Sequence, residues 1–119
     1  MSQHREVTDY LRDILEAAEG AEQFLAGLEF DDFVSDRKTV YAVVHALEIV
    51  GEPTKNIPDT LRQRYPSVPW REMAGMRDKL IHEYFGVNLR RVFDTVHAGL
   101  PPLRQAISDI LQQGNTGAL

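Results

Sequence analysis

The chain has 119 residues, no cysteine and a formal net charge of -5. That length suits one domain over residues 1–119, whose single core leaves modest stability in reserve, so burying more surface in an oligomer is an advantage. The lack of cysteine excludes disulfides, thiolate metal sites and cysteine nucleophiles and fits a reducing compartment; no apolar run reaches the roughly 20 residues that span a bilayer, and no signal-peptide core follows Met1, so a soluble, cytoplasmic protein is expected.

From about Arg5 to Leu28, Val7, Leu11, Ile14, Leu15, Ala18, Phe24 or Leu25, and Leu28 recur at helical steps and predict a long first helix. Glu16, Glu19 and Glu22 lie on its polar face and read as solvation rather than as metal ligands. Phe30 to Asp36 breaks the pattern, with Asp31, Ser35 or Asp36 available to cap the next helix. That second helix carries Val40, Val43, Val44, Leu47 and Val50 on its apolar stripe. Arg37, Tyr41, His45, Glu48 and Glu52 form the opposing row, which either lines a groove or meets water. Gly51-Glu52-Pro53 weakens or kinks this helix, which can continue to about Ile57.

Pro58 can start a short helix through Tyr65, and Ser67 can cap a helix from Trp70 to Phe85 that Gly86 ends. Trp70 reads as a packing anchor. Asn88 can cap a helix through His97, where the imidazole meets the helix dipole, before Gly99-Leu100-Pro101-Pro102 interrupts. Leu103, Ile107, Ile110 and Leu111 define a last helix, and the residues from Gln113 read as a tail. No stretch reads as a strand. The expected fold is all-α, an up-and-down helical bundle of four to five main helices with short connectors.

The charge is unevenly spread. From Lys55 to Arg91 there are eight basic and four acidic residues, a net of +4, which leaves the remainder at -9. An acidic body with a basic segment is compatible with local attraction of phosphate. Within that segment Arg77, Asp78, His82 and Tyr84 fall on one predicted helix. Arginine offers a planar fork to phosphate oxygens, and histidine titrates near neutrality and so can move a proton during phosphodiester cleavage. Asp78 and His82 are four residues apart and share a face, so the carboxylate can orient the ring. Arg77 and His82, five apart, are separated by roughly 140° and about 7.5 Å of rise. Their joint use on one phosphate requires a long arginine reaching round or a second copy of the helix facing it, which predicts a two-fold homodimer with a shared cleft. No metal is needed for such chemistry.

The spacing Arg77-x4-His82-x-Tyr84 resembles the signature of the HEPN superfamily of helical RNases. Ile49-Val-Gly-Glu52, Val68-Pro-Trp70, the block from Gly75 to Val87, and Leu100-Pro101 resemble in order the landmarks of the HepT-like ribonuclease toxins, across nearly the whole chain. The resemblance implies a HEPN-like helical dimer and a metal-independent RNA endonuclease with Arg77 and His82 as catalytic residues and Asp78 as the polar position beside them. It also implies a toxin paired with a minimal nucleotidyltransferase antitoxin that adenylylates the motif tyrosine, here Tyr84. Asp78 stands where asparagine is common, and Asn88 where aspartate is common. The competing reading is a non-catalytic HEPN-like module that binds a nucleotide or docks a nucleotidyltransferase.

Overall fold

The structure, a computed structural model, describes residues 5–82 and 88–114, and of Ile81 and His82 the backbone only. Among the described residues there is no strand, and the fold is all-α as expected. Helix α1 spans Val7–Leu25 and buries Leu11, Ile14, Ala18, Ala21 and Leu25, one residue each three or four positions. A capping box between Glu6 and Asp9 starts it, and Gly27, at φ +79°, turns the chain away before the expected end at Leu28.

The segment expected to be a break is itself a short helix, α2 (Phe30–Ser35). A second capping box, Glu29 with Asp32, satisfies its first turn, and it seats the fully buried Phe33 in the core. Asp31 and Ser35 therefore lie inside α2. Asp36 caps α3 (Arg37–Thr54), accepting from the Thr39 amide at 3.3 Å and the Thr39 hydroxyl at 2.7 Å. Those two bonds, the hydroxyl's first, hold the Asp36 carboxyl below the usual aspartate value.

Val43, Val44, Leu47 and Val50 of α3 are buried as the periodicity requires. Pro53 sits in its final turn, and the helix stops at Thr54 rather than running on to Ile57. There Arg62 of α4 (Asp59–Arg64) donates to the carbonyls of Thr54 at 2.7 Å and Ile57 at 3.1 Å. An arginine thus serves carbonyls at and just beyond the helix end, the Thr54 oxygen also accepting from the Ile57 amide at 3.1 Å. Pro58 precedes α4 at its N-cap position.

The single helix expected from Trp70 to Phe85 is divided within its described part into α5 (Trp70–Ala74) and α6 (Met76–His82). Gly75, the weakest helix former of the stretch, makes the break, its amide bonding to the Arg71 carbonyl at 3.1 Å. Ser67 is not the cap; Pro69 holds that position. Buried Trp70 closes the connector by donating its indole N–H to the Tyr65 carbonyl at 3.0 Å, which makes it the anchor expected. The expected ending at Gly86 lies outside the described residues.

Asn88 caps α7 (Leu89–Asp94), accepting from the Arg91 amide at 3.1 Å. The interruption expected at Gly99 to Pro102 does not occur. A π-helical turn over Thr95–Gly99, closed by the Leu100 amide onto the Thr95 carbonyl five residues back, leads directly into α8 (Leu100–Gly114). Pro101 and Pro102 fall in the first turn of α8, where their missing donors break no bond of that helix. Within the bundle α3 packs against α1 on one side and α5 and α6 on another, while α8 closes against α1.

Candidate functional site

The site begins with a glycine. Gly51 of α3 lies so close to the next layer that a Cβ built on it would stand 2.8 Å from the Met73 carbonyl oxygen and 3.1 Å from the Arg77 amide nitrogen. Only a residue without a side chain allows the end of α3 to meet the start of α6 at this distance. The contact places Glu52 and Lys55, from the last turn and end of α3, beside Arg77 and Asp78 of α6.

Four charges from two helices alternate there. Glu52 Oε2 lies 3.5 Å from Arg77 Nη1 and 3.6 Å from Lys55 Nζ, and Lys55 Nζ lies 3.8 Å from Asp78 Oδ1. The Arg77 side chain is 43% exposed and that of Asp78 62%, so the cluster faces solvent. Ion pairs of such exposure contribute at most about 1 kcal/mol each, and an incoming phosphate can displace them. Chemically the cluster holds a planar fork of donors and a point-charge ammonium beside one another.

Of the residues singled out in the sequence, Arg77 and Asp78 are placed together at this surface. His82 lies in the same helix by its backbone, with its side chain outside the described structure, and Tyr84 lies outside the described residues. The sequence names Glu52 in the Ile49-Val-Gly-Glu52 landmark and Lys55 in the basic segment, but its spacing assigns neither to the site. Glu52 read as one member of the polar row of α3, although the glycine before it, inside a helix, is a signal of close backbone approach.

The remaining basic residues of the segment do not all converge. Arg62 serves the α3 terminus, and Arg90 stands over the Phe30 ring at 4.8 Å while pairing with Asp94 at 3.4 Å. His97 packs on Phe93 with ring centroids 4.3 Å apart. His45 lines a groove between α1 and α3 with Phe24 and Ile49, whereas Glu48 is not part of it. Glu22, on the polar face of α1, pairs with Arg104 at 2.7 Å. An apolar cavity of about 280 Å³ lies among Leu47, Met73, Met76, Leu80, Val92 and Leu100. Neither Arg77 nor Asp78 lines it.

Fold and site together define a helical-bundle protein that presents an arginine-centred, phosphate-compatible cluster on the helix carrying Arg-x4-His. The family model for ribonuclease HepT-like proteins matches residues 14–110, and the chain belongs to that family. It is 53% identical over 96 residues to the protein named "Probable ribonuclease HepT" of Thermococcus cleftensis, covering 81% of this chain and 87% of that one. Two further relatives carry provisional RNase names. One, from Caldanaerobacter subterraneus subsp. tengcongensis, is 46% identical over 87% of this chain and 93% of its own length. The other, from Methanocaldococcus jannaschii, is 39% identical over 91% of this chain and 89% of its own length. No solved structure matches the chain significantly.

Proposed function

We propose that this ribonuclease of the HepT-like family is a metal-independent endonuclease whose catalytic residues are Arg77 and His82, with Asp78 orienting the imidazole. The observation that carries the reading is the placement of Arg77 at an open surface, one residue from Asp78 and on the same helix as His82. In the reaction the RNA 2′-hydroxyl attacks the adjacent phosphorus and the 5′-oxygen leaves. Arg77 stabilises the charge that builds on the phosphoryl oxygens, a role otherwise given to a metal ion. His82 takes the proton from the 2′-hydroxyl or returns one to the leaving oxygen.

The angular offset of Arg77 and His82 along α6 supports a homodimer in which two copies of the helix share one cleft. The family supports a further reading of the biology. The chain acts as a toxin, and a minimal nucleotidyltransferase antitoxin silences it by adenylylating Tyr84. An AMP group there adds bulk and negative charge two residues beyond His82 in the sequence, which disfavours the RNA phosphate.

Arg77→Ala is expected to lose about 10²–10³-fold in RNA cleavage rate and His82→Ala about 10²–10⁴-fold, each folding as the parent does. Parental rates in both folded variants would refute the assignment. Light scattering of the active protein tests the dimer, and full activity in a monomer would exclude a shared cleft. Transfer of labelled AMP by the antitoxin to the parent and equally to Tyr84→Phe would exclude Tyr84 as the acceptor.

A further inference from the structure

Glu52 and Lys55 have no part in the chemistry assigned above, yet both touch the site. We propose that Glu52 is a positioning residue for Arg77 and that Lys55, held by the same carboxylate, is a second phosphate-binding residue; the inference rests on the ribonuclease reading of Arg77.

Gly51 fixes the last turn of α3 against the Met73 carbonyl and the Arg77 amide, so the residue after it is anchored relative to the backbone of the arginine it meets. A guanidinium on a flexible stem at an open surface samples several rotamers, and this spread lowers the fraction of encounters with useful geometry. Glu52 Oε2 engages Arg77 at Nη1, 3.5 Å away. The remaining N–H donors of the guanidinium stay available to a phosphate.

The same oxygen lies 3.6 Å from Lys55 Nζ. The two cations are therefore no further apart than these two legs laid end to end, close enough to act on one phosphodiester or on neighbouring ones. Lys55 is steadied from its other side by Asp78 at 3.8 Å. An ordinary surface pair between residues three apart accounts for Lys55 with Glu52, but not for a network that crosses from α3 to α6 and ends on the motif arginine.

The sign of the charge separates positioning from simple attraction. Glu52 repels RNA, so removing its charge favours binding while freeing Arg77 to wander. In single-turnover cleavage of a labelled single-stranded RNA by the full chain, Glu52→Gln is expected to lower the maximal rate about tenfold with an unchanged or lower KM. Lys55→Ala is expected to weaken binding of a 2′-O-methyl RNA, which cannot be cut, and to reduce the slope of log Kd against log salt by about 0.7, with Lys55→Arg restoring it. A parental maximal rate in Glu52→Gln, or an unchanged salt slope in Lys55→Ala, overturns the inference. If Arg77→Ala is inactive in the same assays, the ribonuclease reading still stands. Parental cleavage by Arg77→Ala strikes that reading instead.

Discussion

Gly51→Ala is the substitution that most sharply tests how α3 meets α6. The added methyl would sit 2.8 Å from the Met73 carbonyl oxygen, about 0.6 Å inside the 3.4 Å at which ordinary contact begins, and 3.1 Å from the Arg77 amide nitrogen. Both obstacles are backbone atoms, which cannot swing aside as a side chain end can. Overpacking of this kind costs about 1–3 kcal/mol, and two backbone obstacles put it near the upper end. Alanine in place of glycine inside a helix returns about 1 kcal/mol. The net expectation is a loss of about 2 kcal/mol in urea unfolding at fixed protein concentration, read as a lower midpoint with an unchanged slope. Because relief of the clash moves α6 away from Glu52, cleavage should fall further than stability alone explains. A variant as stable as the parent, or more stable by the helix-propensity gain, would refute the close approach and with it the geometry of the site.

Two further substitutions test the ends of α3. Arg62→Met removes both bonds to the Thr54 and Ile57 carbonyls while keeping apolar bulk, and it should cost about 1–2 kcal/mol in the same unfolding assay. A change within about 0.3 kcal/mol would show that water serves those carbonyls as well. At the other end, the lowered value of Asp36 makes its ionised form a stabilising one. Its contribution is whole above the ordinary aspartate value of about 3.9 and disappears as pH falls through the lower folded value. The stability gap between the parent and Asp36→Asn should therefore narrow across that acid range, and a gap independent of pH would contradict the capping account.

Much of this organisation was legible in the chain because it rests on period and caps. The stripes of α1 and α3, the caps at Asp36 and Asn88, and the anchoring role of Trp70 are local in sequence and came through. What escaped depends on contacts between distant residues or on small shifts of hydrogen-bond register. Phe30 to Ser35 looked like a break because an acidic run masked a capping box and one core phenylalanine. Two prolines after Gly99 looked like an interruption because a π-helical turn leaves no sequence period of its own. At the site, Arg77 and Asp78 were visible through their spacing with His82. Glu52 and Lys55 were not, since the glycine before Glu52 signals a close approach without saying that α6 is what the end of α3 meets.

Cleavage through the chain's own side chains, by attack of the neighbouring 2′-hydroxyl, is what we propose, and the chemistry of the cut ends reads it out. The most direct measurement is incubation of the purified protein with single-stranded RNA in excess EDTA, with identification of the new ends. The expected result is cleavage, with 2′,3′-cyclic phosphate and 5′-hydroxyl termini, and none at a linkage whose 2′-hydroxyl has been removed. RNA that stays intact until a divalent metal is added, or that is cut to 5′-phosphate ends, would contradict it.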